Sequence, residues 1–471
     1  MLKNDLSRDH NENSRGQIDF FSTMKRCKFA WRATTEAMSE KTITQNPPNG
    51  AVLNEGKTKV IRRSTANPDQ VDIVSKDDIT AGDGAKHDLL AGKAAMATLT
   101  TCNVFRLLKA CGIPVAFDEQ TSAISFSAPN CKMLPYEVVT RREAHGSCLK
   151  RNPGLAKGHL FPRLLVEFYL KTSKRRWKNH DLACDDPLME YAASEGVIKL
   201  FEPSKISAGL APFLTLGETD VFSHPDEAKF FSEMSNIARR AFLALEKAWQ
   251  IEGGRLVDCK VEFGLAGDGR LLLADVIDND SWRVIEDGGY IDKQVYRDGG
   301  KLDTVAANYR RVADITSHFR IPAQRIVIWS GSEKDDVAPV EDAIGKLSGG
   351  AIKTERIACS VHKEPVRAIQ ILDQLTQAAP DTVIIAFIGR SNGAGPTLSA
   401  CTTVPVITVP ADFKDFPHDV WSSLRTPSSV PVTTVLEPGN AALAALEILA
   451  LRNPRLYMHL RESLETRRGS G

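Results

Sequence analysis

Closely spaced cysteine pairs, a membrane-length apolar run and a large net charge of either sign are all missing from this chain. Its nine cysteines include no C-x-x-C pair, and an odd number cannot all pair within one chain. Neither a disulfide framework nor a zinc site is therefore expected, and the compartment is read as reducing, the cytosol. No apolar run approaches the ~20 residues that cross a bilayer, and the first residues lack the apolar stretch of a secretory signal, so no membrane partner is expected. Lys+Arg 60 against Asp+Glu 59 leaves a formal charge of +1, which gives no electrostatic footprint for nucleic acid. The P-loop pattern, a Gly-rich kinase loop and a biotin-attachment segment are also absent. What remains is a soluble enzyme of 471 residues, enough for two or three domains with ample core.

Residues 1–47 are polar and patternless and read as a disordered tail. Met24 offers an alternative start or a weak organellar presequence, against which Glu36 and Glu40 argue. Short β-rich runs from Thr58 to Ile61 and Val71 to Val74 flank the turn Asn67-Pro68-Asp69. Helical periodicity follows from Leu89 to Ala110, then strands near Ala123–Phe126 and Val138–Arg142. Helices return over Asp226–Trp249 and Thr304–His318. The first unit, expected over 48–320, is thus α+β with helices beside a mainly antiparallel sheet.

Between those helices lie Asp258-Cys259-Lys260-Val261-Glu262-Phe263-Gly264 and Asp275-Val276-Ile277-Asp278-Asn279-Asp280-Ser281-Trp282-Arg283. Alternation and the turn Gly267-Asp268-Gly269 predict a β-hairpin with Asp258, Lys260 and Glu262 on one face. Hard oxygen donors of this kind suit Mg²⁺, which takes one or two carboxylates and completes its shell with water and nucleotide phosphate. A solvated charged hairpin is the alternative, because charge runs are usually exposed faces.

After Phe319–Gln324 the pattern changes to alternating strands and helices: Arg325–Trp329, Val337–Leu347, Ile352–Ala358, Pro365–Ala379 and Thr382–Ile388. This order predicts a second unit, 325–471, as a three-layer, Rossmann-like α/β domain with a parallel sheet and its site at the strands' carboxyl ends. Ser330-Gly331-Ser332 and the run Gly389-Arg390-Ser391-Asn392-Gly393-Ala394-Gly395-Pro396 stand at those ends, where glycine and free N–H groups can approach an anion. Asn440 to Leu451 has an Ala/Leu face too broad for a surface helix and is expected to pack on another domain or subunit.

The first unit resembles SAICAR synthetase. The resemblance rests on Glu55-Gly56-Lys57-Thr58-Lys59, Ser75-Lys76-Asp77-Asp78-Ile79-Thr80-Ala81-Gly82, Arg141-Arg142-Glu143-Ala144-His145-Gly146-Ser147, Lys150-Arg151-Asn152-Pro153, the two carboxylate runs above and Asp292-Lys293-Gln294-Val295-Tyr296-Arg297-Asp298. The second resembles the AIR carboxylase of the animal type, through Ser360-Val361-His362-Lys363, Gly389–Pro396 and Asp419-Val420-Trp421-Ser422-Ser423-Leu424-Arg425. Together they look like the fused animal enzyme family of purine (IMP) biosynthesis.

For the first unit the resemblance implies a ligase joining carboxyaminoimidazole ribonucleotide, L-aspartate and ATP. Lys57, Lys59, Lys76 and Lys260 would serve the nucleotide, and Glu262 and Asp275 would be catalytic and hold Mg²⁺. Arg142, Ser147, Asp280, Arg283 and Arg297 would hold the ribonucleotide. For the second it implies a lyase-class carboxylation of aminoimidazole ribonucleotide by CO₂ without ATP or biotin, with His362 as proton carrier and Lys363 at the carboxylate. Ser332, Asp335, Ser360, Gly389, Arg390 and Ser391 would hold that substrate. The family's homo-octamer, built around the carboxylase units, is implied too. The chain departs from the family pattern at Lys334, Val361, Ala400 and Cys401, all expected in substrate-facing loops. Two other readings are a ligase carrying an inactive C-terminal scaffold, and an unrelated ATP-dependent kinase or carboxylase with a nucleotide-sensing domain.

Overall fold

The structure is a computed structural model that describes residues 49–65, 67–81, 85–205, 210–377 and 380–468. The expected tail over 1–47, with Met24, Glu36 and Glu40, and Gly82 of the quoted motif lie outside the described residues.

Alternating sequence in the first unit builds two antiparallel sheets. The smaller runs in the order Val52–Glu55, Lys59–Arg63, Gln70–Ser75, Ser125–Pro129, Gln120–Ser122. Helix Lys93–Ala110 covers it with Cys102, Val104, Phe105 and Leu108. Asp77 accepts from the N–H groups of Gly92 (3.3 Å) and Ala94 (2.8 Å), satisfying donors that the first helical turn leaves open. The larger sheet has nine strands. Its centre is Leu160–Leu170, Lys132–Glu143, Arg255–Leu265 and Trp282–Glu286, with Leu271–Ala274 folded back on Arg255–Leu265. Helix Glu227–Ile251 packs across it, burying Phe230, Phe231, Met234, Ile237, Ala241, Phe242, Leu245 and Trp249 at three- and four-residue spacing. Trp249 meets Trp282 and Phe319 edge-on, with ring centroids 5.4 Å apart in both pairs. The first unit is α+β.

In the second unit all five strands are parallel, in the spatial order Lys353–Ala358, Gln324–Ser330, Asp381–Ile388, Val406–Pro410, Thr433–Thr434. Helices lie on both faces, one core gathering around Val340, Ile344 and Leu446, the other around Ala368, Leu372 and Leu398. Helix Pro438–Ala450 corrects one expectation. Its broad apolar face is used within its own unit, where Ala441, Ala442, Ala445 and Leu446 pack on Ile326, Ile328 and Ile385. A helix that meets both a sheet and the neighbouring helix Ala338–Ser348 needs a wide apolar stripe.

The element that does cross between units is the helix after it, Pro454–Arg467, which packs along Glu227–Ile251. Here the ring of His459 sits where a side chain on Gly349 would go, 2.9 Å from the ideal Cβ position. Burial, with Arg240 and Arg455 nearby, pushes its imidazole down to about 4. Its folded pKa lies below the unfolded value, so the unfolded chain binds the extra proton as pH falls from about 6.5 to 4. Thermal stability should decline over that interval, and His459→Gln should flatten the decline in melts recorded at pH 4.5 and 7.5.

Candidate active sites

The hairpin forms as the alternation requires: Glu262 pairs with Ala274 and Leu265 with Leu271. Strand Arg255–Leu265 is also flanked by Lys132–Glu143 and Trp282–Glu286, placing Asp258 opposite both Arg141 and Arg283. One Asp258 oxygen accepts from Arg141 (2.8 Å) and Arg283 (2.5 Å). Arg141 also donates to Glu167 (2.7 Å), which pairs with Arg151. Three guanidiniums (141, 151, 283) thus share two carboxylates (167, 258), an excess of one positive charge. Gly146 has φ +57°, and its missing Cβ leaves room for the Arg283 guanidinium, whose Nη2 would lie 2.5 Å from that atom. Ser147 follows, beginning the short helix Ser147–Arg151.

Further along the same face, Lys260 donates to Glu137 and Glu262 (3.0 Å each), and Lys171 donates to Glu262 (2.6 Å). Burial would raise the Glu262 carboxyl, but Lys260, Lys171 and Lys59 hold it down to about 2. Lys59 is drawn down to about 8 by burial, against the attraction of Glu262, and its amine contacts Asp275. Asp275 has φ +65°, a left-handed backbone that aspartate rarely adopts outside turns and functional sites. Lys59, Lys171, Glu262 and Asp275 form one wall of a cavity of about 210 Å³. The rest is mainly apolar, with Ile61, Val71, Ile73, Ala116 and Ala128, and is bounded by the crossing segment Pro129–Met133 between the two sheets. An apolar slot ending in lysines and carboxylates can take an aromatic base at one end and phosphate at the other.

Asp280 lies just beyond, accepting from Lys293 and the Tyr309 hydroxyl (2.6 Å each). Burial would raise its carboxyl, but Lys293 and Lys93 outweigh that and lower it. Burial raises the neighbouring Asp278, aided by Asp280 itself.

The expected residues fall in different places. Lys59, Glu262 and Asp275 come together in the cavity wall, and Lys260 joins them through its bond to Glu262. Lys57 is exposed on the adjoining turn, and Lys76 anchors that turn through Glu55 (3.1 Å) and the Gly56 carbonyl (3.4 Å). Arg283 and Ser147 flank Gly146, while Arg297 is exposed at the end of Gln294–Arg297. Arg142 is not brought to this group. It points to the opposite face of its strand, bonded to Glu246 (2.6 and 3.1 Å) and Glu465 (2.7 Å). Consecutive residues of a strand face opposite sides, so one arginine of the pair Arg141-Arg142 had to turn away, and the partner opposite Asp258 is Arg141. The sequence reading placed Asp258 on the charged face and quoted Arg141 in a motif but gave neither a role, and it left out Glu167 and Lys171. Opposite charge at facing positions was the signal for the first two.

In the second unit, parallel strands bring the loops after Ser330, Ala358 and Ile388 to one edge. Asp335 accepts from the Ser332 N–H at 3.0 Å, and the Ser360 hydroxyl accepts from the Lys363 N–H at 3.3 Å. His362 and Lys363 are exposed. Asp412 fills the space beside Gly389, 2.7 Å from where a Cβ would stand. Arg390 stacks on Phe416 (4.4 Å), and the Ser391 N–H donates to Asp419 (2.8 Å). Buried Asn392 anchors the loop, donating to the Ile388 carbonyl (3.3 Å) and accepting from Thr408 (3.2 Å) and Ser423 (2.6 Å). Lys334 is exposed in the first loop, whereas Val361 is buried in the core beneath. Ala400 and Cys401 do not face this edge. They end helix Ala394–Ala400, which runs back from it, and the adjoining Thr402 bonds Thr376 near the end of Pro365–Gln377.

Removing the carboxylate shared by two arginines leaves buried cations uncompensated, so Asp258→Ala should cost about 3–5 kcal/mol. Urea unfolding would measure it, and a loss below about 1 kcal/mol would contradict the geometry.

Comparison with known proteins agrees with both halves. The SAICAR synthetase family model matches residues 52–199 and 216–315, and the AIR carboxylase model matches residues 325–469. The chain is 36% identical over 425 residues to the probable multifunctional protein ADE2 of Caenorhabditis elegans, covering 87% of this chain and 92% of that one. It is 36% identical over 429 residues to the bifunctional phosphoribosylaminoimidazole carboxylase/phosphoribosylaminoimidazole succinocarboxamide synthetase of Homo sapiens, covering 88% and 93%. With the phosphoribosylaminoimidazole-succinocarboxamide synthase of Chloroflexus aggregans it shares 39% identity over 279 residues, 57% of this chain and 97% of the relative. A solved SAICAR synthetase (Type-2) in complex with ADP superposes with a TM-score of 0.44 at 27% identity, covering 56% of this chain and 97% of that one. Matched in order by both models and along more than nine-tenths of its two-part relatives, the chain belongs to the bifunctional phosphoribosylaminoimidazole carboxylase/phosphoribosylaminoimidazole succinocarboxamide synthetase family.

Proposed function

We propose that this chain catalyses two steps of de novo purine biosynthesis. The second unit carboxylates 5-aminoimidazole ribonucleotide with CO₂, and the first condenses the product with L-aspartate, converting ATP to ADP and phosphate. The observation that carries this reading is the match of both family models, in order, along one polypeptide. The units would meet near 320–325, with 48–320 the ligase and 325–471 the carboxylase.

A carboxylate is a poor electrophile toward an amine. Transfer of the terminal phosphoryl group of ATP to the ribonucleotide's carboxylate oxygen makes an acyl phosphate. Aspartate's amino nitrogen then forms the C–N bond as phosphate leaves. The apolar slot would hold the adenine, with Lys59, Lys57 and Lys76 near the triphosphate. Among the described residues no group of three or more His, Cys, Asp and Glu side chains is placed to hold a metal ion. Two carboxylates, Glu262 and Asp275, do suit an ion that arrives with the nucleotide, since Mg²⁺ takes its other oxygens from phosphate and water. Mg²⁺ there would offset phosphate charge. The surplus guanidinium charge around Asp258, with Ser147 and Arg297, fits the ribonucleotide's phosphate and carboxylate. Asp280, fixed by Lys293 and Tyr309, would orient the acceptor.

In the second unit the electron-rich imidazole carbon attacks CO₂, and the ring then gives up a proton. His362 would carry that proton and Lys363 would steady the new carboxylate. Ser332, Asp335, Ser360 and the Gly389–Ser391 turn would hold the ribonucleotide. No step needs biotin. A homo-octamer joined through this unit, working in the cytosol, belongs to the same reading. Exposed Val366, Trp421, Leu424 and Leu451 supply apolar surface for such contacts.

With aminoimidazole ribonucleotide and bicarbonate but no ATP, the protein should form the carboxylated product, and His362→Ala should reduce the rate about 100-fold or more. A wild-type protein that ligates but never carboxylates would make the second unit a scaffold. Asp275→Asn should abolish ATP-dependent ligation and leave carboxylation intact, and survival of ligation would remove Asp275 from the site.

A further inference from the structure

Helix Pro454–Arg467 contributes to both cores. Leu456 is buried in the second unit, and Met458, two residues on, is fully buried among the first unit's apolar side chains. Two turns after Met458, Glu465 is 5% exposed. One of its oxygens accepts from Arg142 (2.7 Å) and Arg461 (3.0 Å), and the other accepts from the Leu164 N–H (3.0 Å). Arg142 is held from its other side by Glu246, which also accepts from the Tyr457 hydroxyl (2.9 Å). Burial would raise a carboxyl at this depth, but the Leu164 N–H and the two arginines hold Glu465 below the usual carboxylate range.

These contacts lie directly behind the candidate ligase site. Arg142 is the strand neighbour of Arg141, and alternation turns one toward Glu465 and the other toward Asp258. Leu164 belongs to strand Leu160–Leu170, which also supplies Glu167 to Arg141 and Arg151. Glu465 therefore grips, from the rear, the strand that supplies Arg141 and the strand that supplies its partner Glu167 to the cluster at the front. A displacement of the first strand would move Arg141 relative to Asp258, and one of the second would move the Glu167 carboxylate that Arg141 and Arg151 share; small misplacements of charged binding groups weaken binding strongly.

We propose that Glu465 is a positioning residue of the ligase: the last helix of the second unit braces the two strands that supply Arg141 and Glu167 to the ribonucleotide-binding cluster of the first. This rests on the assignment of the Arg141, Asp258 and Arg283 cluster to the ribonucleotide, so the test includes a variant of that cluster.

Full-length Glu465→Ala, Glu465→Gln and Arg283→Ala proteins would be assayed for ligation with the carboxylated ribonucleotide and ATP varied separately, and for carboxylation. Glu465→Ala should raise KM for the ribonucleotide roughly tenfold, with kcat and KM for ATP within about threefold of wild type and carboxylation unchanged. Glu465→Gln, whose amide oxygen can still accept from one partner while its nitrogen can accept from neither, should shift the same KM by less. It also supplies the measurement if the alanine variant does not fold. Arg142→Ala combined with Glu465→Ala should be no worse than Glu465→Ala alone. An unchanged ribonucleotide KM in both Glu465 variants, with a raised one in Arg283→Ala, overturns the brace. An equal rise in KM for ATP overturns it as well, because it would mean general loosening. If Arg283→Ala leaves the ribonucleotide KM unchanged, the assignment of the cluster falls, and the inference with it.

Discussion

Charges buried on strand Arg255–Leu265 must meet their opposites, and the first unit is arranged around that requirement. Asp258 lies between two arginines, Lys260 between two glutamates, and Glu262 between two lysines. An uncompensated ion inside a protein costs several kcal/mol, so the flanking strands have little freedom to slide. The face ends in surplus positive charge at Asp258 and in the Glu262 carboxylate, whose pKa its lysines hold down, with Asp275 beside it. Four residue steps of extended chain, about 13 Å, separate Asp258 from Glu262. On the proposed assignment, a ribonucleotide anchored at the guanidinium end would present its far side toward a triphosphate at the carboxylate end.

How much of this was legible depends on the periodicity of each segment. The hairpin and the long helices are visible because one face is apolar and the other is not. Strands Arg325–Trp329 and Thr382–Ile388 are visible because both faces are buried, and they run Gln324–Ser330 and Asp381–Ile388 in the structure. Strands Leu160–Leu170, Leu188–Ala192 and Val197–Phe201 were not read, because their half-buried positions mix polar and apolar residues without clean alternation. That omission also hid Glu167 and Lys171, whose site partners lie far away in sequence. The Arg141-Arg142 pair shows a different limit. A motif names both residues, but the pleat decides which one faces the site.

The two candidate sites are built by unlike means. In the first, side chains are fixed in a buried lattice of ion pairs. In the second, a loop is held by a buried amide: Asn392 satisfies a strand-end carbonyl and receives two hydroxyls, leaving the neighbouring Gly389, Arg390 and Ser391 at the surface of the strand edge. Strand Lys353–Ala358 ends one side of that sheet, pairing with Gln324–Ser330 alone among the described strands.

The placement of Met458 has a consequence for biogenesis. Domains fold largely in the order in which they leave the ribosome, yet the first unit's core takes a side chain from the last helix of the second unit. A nascent first unit therefore waits with an open groove along Glu227–Ile251 until the other unit has been synthesised. During that interval the groove leaves apolar side chains of the first unit open to water.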